Sequence, residues 1–254
     1  MIRDVVLGCL SLKIPPFQFW RTIFWLIPTI SVYTIALGTL SVGASWFDRT
    51  GKFAHACARF WAWLILATTG VQVSVSGLGR VKKELAYVFV SNHESIYDIP
   101  IIFASLPFQL RIVAKASLGS FPFLGWHLRR AGHLLVDRTK SGASTLKQVA
   151  DLVRRSSSLI VFPEGTRSTD GNLLPFKRGI FLVAIDSGLP VVPLSVTGSR
   201  HVMRKGRLMT CPAEVGLVVH DPIPTGNLSH EDAPQLAAQV RAVVESATLA
   251  QSSS

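Results

Sequence analysis

The segment from Ala86 to Asp98 decides the fold, and it reads Ala-Tyr-Val-Phe-Val-Ser-Asn-His-Glu-Ser-Ile-Tyr-Asp. Its first five residues are apolar and rich in β-branched and aromatic types, which is typical of a strand buried on both faces. The polar residues that follow, from Ser91 to Asp98, predict a turn into a helix. A buried strand that leads through a polar turn into a helix is the repeating unit of α/β sheets.

The rest of the chain repeats this alternation of strand and helix patterns. Apolar and polar residues alternate from Val71 to Ser76, which predicts a strand with one buried face. Further apolar runs predict strands at Arg111–Ala114, His133–Val136, Leu159–Phe162, Val191–Val196 and Val215–Val219. Helical patterns occupy Ser144–Arg155, Arg178–Ser187 and Glu231–Leu249. We therefore predict an α/β fold in which a mixed, mostly parallel sheet is flanked by helices.

The N-terminal region differs from the rest and predicts a helical hairpin associated with a membrane. No charged residue occurs from Thr22 to Phe47, and a helix of that length would reach about 39 Å, enough to cross a bilayer core. A second helical pattern, from Lys52 to Thr69, combines aromatic residues with basic early turns, as interfacial helices do. Hydropathy leaves open whether the hairpin spans the bilayer or enters one leaflet. Two helices buried in a soluble core are the alternative, which the long uncharged run disfavours.

Composition supports a division into two parts. The chain carries a net charge of +11, with 48% hydrophobic and 16% charged residues, a balance that excludes global disorder. Residues 111–207 contain sixteen Lys or Arg against five Asp or Glu, whereas the flanking charges cancel. We therefore predict a membrane-anchoring two-helix segment at residues 1–70 and a catalytic domain with a basic surface at residues 71–254.

The basic surface and the cysteines limit the partners. A basic surface attracts either nucleic acid or an anionic membrane, but no nucleic-acid-binding module or basic face interleaved with aromatics is visible, so nucleic acid is not expected. The three cysteines, Cys9, Cys57 and Cys211, lie too far apart for a metal knuckle or a redox pair. We expect no bound metal, and reduced thiols place the catalytic domain on the cytoplasmic side.

A first candidate catalytic group lies in the turn after the Ala86–Val90 strand. His93 and Asp98 are five residues apart, and they can meet if the turn curls back. The carboxylate would then fix the imidazole tautomer and leave the other ring nitrogen as a base. Taken alone, such a pair is also compatible with a structural role, and Asn92 fits the role of a helix cap.

A second candidate turn, Phe162-Pro-Glu-Gly-Thr-Arg-Ser168, follows the Leu159–Phe162 strand. Gly165 permits close approach of backbone to a ligand, Thr166 offers a hydroxyl, and the planar guanidinium of Arg167 can bind phosphate through two hydrogen bonds. A tight turn with a solvated arginine is the alternative.

Together the two motifs resemble those of the glycerolipid acyltransferases that acylate 1-acylglycerol 3-phosphate (lysophosphatidate). That family is marked by Asn-His-x-x-x-x-Asp and then Phe-Pro-Glu-Gly-Thr-Arg-Ser, and here His93 and Glu164 lie 71 residues apart. The resemblance covers about Val75 to Gly198. The residues that match between and after the motifs are Lys115, Leu118, Pro122, Gly125, Gly132, Val136, Asp137, Arg138, Gly171, Phe176, Lys177, Gly179 and Val192-Pro193-Leu194.

The resemblance implies an enzyme of phospholipid biosynthesis at a membrane phospholipid surface. It would move a fatty acyl group from acyl-CoA or acyl-carrier protein to the free hydroxyl of lysophosphatidate, giving phosphatidate, with the thioester as co-substrate and no cofactor. His93 would be the general base and Asp98 its orienting partner. The predicted acceptor-binding residues are Glu164, Gly165, Thr166, Arg167, Lys115, Arg138 and Lys177.

Three alternatives stay open. An acyltransferase of the same family could act on another lysophospholipid, on glycerol 3-phosphate or on a lyso-amino-acid lipid. A basic nucleic-acid-binding protein would need a module that the sequence does not display. A catalytically silent membrane scaffold is disfavoured by the intact His93, Asp98 and Arg167.

Overall fold

The computed structural model describes residues 15–48, 50–136 and 158–252. Within these residues the chain forms a sheet of seven strands with helices packed against it. The strands are β1 (Val71–Ser76), β2 (Val88–Ser91), β3 (Leu110–Lys115), β4 (Leu134–Val136), β5 (Ser158–Val161), β6 (Val191–Thr197) and β7 (Ala213–Val219). The α-helices among these residues are α1 (Phe17–Ala44), α2 (Lys52–Thr69), α3 (Asp98–Ser105), α4 (Leu124–Arg130), α5 (Gly179–Ser187), α6 (Ser199–Val202) and α7 (Ala233–Ser252).

The sheet is mixed and mostly parallel, which confirms the predicted fold class. Its strand order is β1-β7-β6-β2-β5-β3-β4. Neighbouring strands run parallel throughout this order except for the antiparallel pair β6 and β7. All four residues of β2 are buried, as expected for a central strand covered on both faces.

Each face of the sheet carries its own apolar core. Phe89 of β2 points to the face covered by α2 and α3, whereas Val88 and Val90 point to the face covered by α5 and α7. This alternation follows from the two-residue period of a strand and explains why β2 is apolar without interruption.

The predicted strands are present, with small shifts at their starts. β2 begins at Val88 rather than Ala86, and the Tyr87 amide donates a hydrogen bond to the Ser158 hydroxyl (3.2 Å) instead of to a strand carbonyl. β4 begins after His133, because the His133 amide donates to the Leu128 carbonyl (2.9 Å) at the preceding helix. The helix predicted at Ser144–Arg155 lies outside the described residues.

Helices α1 and α2 form the predicted hairpin. The Asp48 carboxylate in the connecting loop accepts a hydrogen bond from the Phe53 amide (2.7 Å) and so caps the start of α2. In the described part of the chain, α1 is the one helix whose 28-residue length and composition would allow it to cross a membrane. Large apolar side chains of α1 face outward, among them Phe24 and Trp25, which are 71% and 60% exposed.

Helix α1 contains a wide turn before its proline. Residues Thr22–Leu26 adopt π-helical geometry immediately before Pro28. Proline lacks an amide hydrogen and its ring crowds the carbonyl four residues earlier, and a π turn relieves this crowding by widening the helix.

Polar contacts join the two helices of the hairpin to each other and to the rest of the fold. The Arg21 guanidinium donates to the carbonyls of Thr68 and Thr69 (both 3.2 Å), and this joins the outer ends of the two helices. The Ser41 hydroxyl lies 2.7 Å from Nδ1 of His127 on α4. The division of the chain at residue 70 stays a prediction.

Candidate active site

The two sequence motifs meet at one edge of the sheet. β2 and β5 are parallel neighbours, with Val90 opposite Val161, so both strands end at the same edge. The turn after β2 contains His93, and the turn after β5 contains Glu164. Ligand sites of open α/β sheets lie at this edge, in the turns that follow the strands.

His93 and Asp98 form a direct pair. Nδ1 of His93 lies 2.8 Å from Oδ2 of Asp98. The same oxygen accepts hydrogen bonds from the amides of Glu94 and Ser95 (both 2.9 Å), so it acts as an acceptor and the imidazole Nδ1–H donates to it. This tautomer leaves Nε2 unprotonated and available to a substrate.

The pair is enclosed but accessible from one side. The Asp98 side chain is fully buried, whereas that of His93 is 12% exposed. Asp98 is the first residue of α3, and the curled turn before that helix brings its carboxylate back to His93. Phe162 stacks on the imidazole with ring centroids 4.1 Å apart and restricts the orientation of the ring further.

Glu164 connects the two motifs through the backbone. Its Oε1 accepts a hydrogen bond from the His93 amide (2.7 Å), and its Oε2 accepts one from the Leu174 amide (3.0 Å). The Ser168 amide in turn donates to the His93 carbonyl (2.8 Å). Burial raises the pKa of Glu164, while the two amide bonds oppose that shift. The carboxylate was predicted to bind the acceptor, and the structure places its oxygens on backbone amides.

Gly165 and Lys177 lie against each other at the second candidate turn, Phe162 to Ser168. Gly165 has φ +72°, a left-handed conformation that favours glycine. A Cβ added at this position would come within 2.7 Å of the Lys177 ammonium nitrogen. Glycine therefore gives the lysine room to reach over the turn, and this brings together two predicted acceptor-binding residues.

Thr166 and Arg167 are held by a lysine that sequence reasoning missed. The Lys205 ammonium donates hydrogen bonds to the Thr166 hydroxyl (3.0 Å) and to the Arg167 carbonyl (2.8 Å). The Arg167 side chain is partly exposed at the same turn. Arg200 adds a similar bond from its guanidinium to the Thr169 carbonyl (2.6 Å).

The remaining predicted residues differ in position. Lys115 is exposed at the carboxyl end of β3, the strand next to β5, and so it lies at the edge of the sheet that carries the two motifs. Arg138 lies outside the described residues. Across the described ranges, no three His, Cys, Asp or Glu side chains are grouped as metal ligands.

Asn92 has a different role from the predicted helix cap. Its side-chain amide donates to the Val196 carbonyl and accepts from the Val196 amide, both at 2.8 Å. These two hydrogen bonds to the backbone of β6 fix the start of the turn that contains His93. The residue before α3 is Tyr97, which makes no side-chain cap.

Glu94 is a titratable group that the sequence did not single out. Burial and the nearby carboxylate of Asp98 raise its pKa to about 7, against a smaller opposing effect of Arg200. Its position next to His93 is visible in the sequence, but its burial is not.

Comparison with known proteins gives the same assignment as the motifs. A protein-family model described as Acyltransferase matches residues 72–197. The chain is 34% identical over 182 residues to the chloroplastic 1-acyl-sn-glycerol-3-phosphate acyltransferase BAT2 of Brassica napus, a match that covers 70% of this chain and 52% of that protein. It is 30% identical over 241 residues to a 1-acyl-sn-glycerol-3-phosphate acyltransferase of Chlamydomonas reinhardtii, covering 92% of this chain and 69% of that protein.

A solved structure agrees in fold over nearly the whole chain. The crystal structure of PlsC, the 1-acyl-sn-glycerophosphate acyltransferase of Thermotoga maritima, superposes with a TM-score of 0.78 at 27% identity. This match covers 90% of the present chain and 95% of that one. The chain spans little more than half the length of the Brassica napus relative. On its motifs, its fold and these relatives, the chain belongs to the family of 1-acyl-sn-glycerol-3-phosphate acyltransferases.

Proposed function

We propose that this protein transfers a fatty acyl group from a thioester donor to the free hydroxyl of 1-acylglycerol 3-phosphate, giving phosphatidate. The single observation that carries the proposal is the 2.8 Å contact between His93 and the fully buried Asp98. This pair lies at the same edge of the sheet as the turn that contains Gly165–Ser168. A base beside an anion-binding turn suits an acceptor that carries both a hydroxyl and a phosphate.

His93 is the general base in this proposal. Nε2 removes the proton from the acceptor hydroxyl, and Asp98 stabilises the imidazolium that forms. The alkoxide oxygen then attacks the thioester carbonyl, and a C–O bond forms as the carbonyl π electrons move onto oxygen. When the tetrahedral intermediate collapses, the C–S bond breaks and the imidazolium returns its proton to the leaving thiolate. The products are the ester and a free thiol.

Direct attack is favoured over an acyl-enzyme because neither of the two serines that flank His93 in the sequence is placed as a nucleophile. The Ser95 hydroxyl donates to the Met203 carbonyl (2.8 Å) and accepts from the Tyr97 amide (3.3 Å). The Ser91 hydroxyl is buried and donates to the Asn92 carbonyl (3.1 Å). Both hydroxyls are committed to the backbone, so neither is activated by the imidazole.

Arg167 binds the acceptor phosphate in this proposal, assisted by Lys177. The guanidinium supplies a bidentate donor, and the ammonium beside Gly165 adds charge. Lys115 and Arg138 are additional phosphate contacts proposed from the family resemblance. Glu164 affects acceptor binding indirectly, because its carboxylate holds the backbone amides of His93 and Leu174 in place.

The N-terminal hairpin attaches the enzyme to the bilayer that contains its lipid substrate. This part of the proposal is supported by the apolar composition of α1 and by its outward-facing Phe24 and Trp25. The catalytic domain is proposed to lie on the cytoplasmic side, where thioester donors are available.

The proposal is tested with the purified full-length protein in detergent. Lysophosphatidate is supplied with either acyl-CoA or acyl-carrier protein, and free thiol and phosphatidate are measured together. Thiol and phosphatidate should appear in equal amounts with at least one donor. Glycerol 3-phosphate and lysophospholipids lacking a terminal phosphate monoester should react at least about tenfold more slowly, because they lose the acyl chain or a charge-assisted contact.

A His93→Ala variant tests the base assignment in the same assay. Turnover should fall by at least about a hundredfold, the contribution expected from a general base, while the circular dichroism spectrum stays unchanged. Asp186→Asn, a surface change on α5, is the matched control and should keep normal turnover. Absence of phosphatidate with both donors would sink the proposed activity, and near-normal turnover by His93→Ala would sink the assignment of the base.

A further inference from the structure

Residues 203–211 form a loop beside the active site that has little regular structure of its own. The loop lies between α6 and β7, and none of its residues belongs to a helix or a strand. The Cys211 amide donates a hydrogen bond to the Val202 carbonyl (2.9 Å), and this closes the base of the loop. Its outer part, including Arg204 and residues 206–208, is exposed. The position of the loop therefore depends on the few contacts at its base.

The loop carries Lys205 to the second candidate turn, Phe162 to Ser168. The Lys205 ammonium donates hydrogen bonds to the Thr166 hydroxyl (3.0 Å) and to the Arg167 carbonyl (2.8 Å). Where the loop lies thus determines where this ammonium lies. A displacement of the base of the loop would be passed on to the turn that is proposed to bind the acceptor.

The base of the loop is held by a side chain of the hairpin. The Thr210 amide donates a hydrogen bond to the Thr22 hydroxyl (2.9 Å), although the two residues are 188 positions apart. Thr22 and Thr210 are only 3% and 2% exposed. The Thr22 hydroxyl donates its own hydrogen to the Gln18 carbonyl (2.7 Å), so its oxygen is left to accept from Thr210. A buried amide that loses its acceptor costs free energy, so removal of this hydroxyl should loosen the base of the loop.

Thr22 occupies an unusual and well supported place in α1. It is the first residue of the π-helical turn, a rare geometry that is often found at functional sites. The preceding residue, Arg21, joins this part of α1 to the carbonyls of Thr68 and Thr69 at the end of α2. Both Thr22 and Thr210 lie outside residues 72–197, so their contact is not part of the region that the family model matches.

We propose that Thr22 is a positioning residue for acceptor binding: its hydroxyl holds the base of the 203–211 loop and thereby sets the position of Lys205. The inference rests on the proposed function, because Thr166 and Arg167 bind the acceptor in that reaction. The other end of the loop is held separately, since the Met203 carbonyl accepts a hydrogen bond from the Ser95 hydroxyl (2.8 Å). Loss of the Thr22 bond should therefore weaken acceptor binding more than it slows the chemical step.

Amide hydrogen exchange tests the anchor without turnover. In the full-length protein in detergent, Thr22→Val keeps the shape of the side chain but removes the acceptor. Peptides that cover residues 203–211 should then exchange about tenfold faster than in the wild type, as mass spectrometry measures. Thr22→Ser keeps the hydroxyl and should exchange as the wild type does.

Thr34→Val is the matched control. It is the same change in the same helix, and it also removes a hydrogen bond, the one that the Trp61 indole donates to the Thr34 hydroxyl (3.0 Å). That bond joins α1 to α2 and does not involve the loop. Exchange of residues 203–211 in this variant should equal that of the wild type.

A double-mutant cycle with Lys205 separates positioning from a general structural role. Thr22→Val should raise KM for lysophosphatidate about fivefold and change kcat by less than about twofold. In a Lys205→Met background, the same change should raise KM further by less than about twofold, because the effect passes through the lysine that is already lost. Thr22→Ser should restore KM to the wild-type value.

Three results would overturn the proposal. The first is unchanged exchange of the loop in Thr22→Val, and the second is equal acceleration in Thr34→Val. The third is a full fivefold rise in KM in the Lys205→Met background, since the Thr22 hydroxyl would then act by another route. If exchange of the loop responds as expected but the wild type forms no phosphatidate, the anchoring of the loop by Thr22 stands and the proposed reaction fails.

Discussion

Lys205 shows how one side chain remote in sequence can define a site. Its ammonium bridges the Thr166 hydroxyl and the Arg167 carbonyl, 39 and 38 residues away. Both bonds go to the turn that carries the proposed phosphate-binding guanidinium. Since neither bond reaches the substrate, Lys205 is a positioning residue for Arg167.

Replacing Lys205 by Met should therefore weaken acceptor binding more than the chemical step. Methionine keeps the length of the side chain but removes both hydrogen bonds to the turn. KM for lysophosphatidate should rise about tenfold, the cost of losing roughly 1.4 kcal/mol of positioning, while kcat changes by less than about threefold. Initial rates over a range of acceptor concentrations measure both constants.

The conservative variant Lys205→Arg controls for charge and should retain a KM close to that of the wild type. Equal KM values for Lys205→Met and the wild type would contradict the positioning role. A fall in kcat alone would contradict it as well, because the bonds concern the binding turn and not the imidazole.

At the level of elements, three buried histidines lie where the hairpin meets the rest of the fold. His55 on α2, His127 on α4 and His133 before β4 are each less than 10% exposed. The rings of His127 and His133 lie 5.8 Å apart, and the buried Arg111 is close enough to affect both. Burial first, and then the nearby positive charge of Arg111, lowers the pKa of His127 to about 4. Burial and the neighbouring cations likewise hold the pKa of His133 well below its usual range.

These shifts predict that the protein loses stability in mild acid. The folded pKa is below the unfolded value of about 6.5, so below pH 6.5 the unfolded chain takes up protons that the folded protein does not. The stabilisation is complete above pH 6.5 and is lost as the pH falls towards 4. His127 alone should lower the free energy of unfolding by about 2 kcal/mol between pH 7.5 and pH 5. Urea unfolding in detergent, followed by tryptophan fluorescence at both pH values, measures the difference.

A His127→Gln variant separates this effect from general acid sensitivity. Glutamine keeps a polar partner for the Ser41 hydroxyl but does not titrate. The variant can be less stable at every pH, yet its loss between pH 7.5 and pH 5 should be smaller than that of the wild type. An identical pH dependence in both proteins would show that His127 does not contribute.

The elements themselves were mostly predictable because each is determined by local sequence. Apolar or alternating runs of four to six residues predicted the strands, and the uncharged stretch together with the Lys52–Thr69 pattern predicted the hairpin. The His93–Asp98 contact was also predictable, because five residues in a turn are enough for the two side chains to meet. The pairing of Asn92 with Val196, 104 residues away, was not, since no local pattern specifies which strand lies beside β2. The burial that raises the pKa of Glu94 depends on such long-range packing too.

On the scale of the whole molecule, apolar and basic surfaces occupy different parts of the chain. Exposed aromatic side chains are concentrated on the hairpin, whereas the excess of basic over acidic residues lies in residues 111–207. The proposed reaction at a bilayer would use both surfaces, because apolar burial supplies affinity for the bilayer and positive charge attracts an anionic surface.

Removal of two hairpin aromatics should weaken membrane binding without affecting the catalytic site. Phe24→Ser/Trp25→Ser replaces two outward-facing side chains of α1, and the loss of their burial in lipid should weaken vesicle binding by at least about tenfold. Cosedimentation with phosphatidylcholine vesicles measures this, since neutral lipid removes the contribution of the basic surface. Leu85→Ser, which changes a side chain 51% exposed before β2, is the control and should bind as the wild type does. Unchanged sedimentation of the double variant would mean that α1 does not contact lipid.

In the proposed mechanism, Glu164 links the choice of acceptor to the rate of the reaction. Because one carboxylate holds both the amide of His93 and the amide of Leu174, a change that moves the acceptor turn also moves the proton acceptor. An engineer who wishes to retarget the enzyme to a different alcohol should therefore leave Glu164 and Ser168 unchanged and vary the outer positions, Thr166 and Lys177. Natural divergence in substrate preference is subject to the same restriction. We expect it to accumulate at the outer positions, Thr166 and Lys177, while Glu164 and Ser168 stay constant.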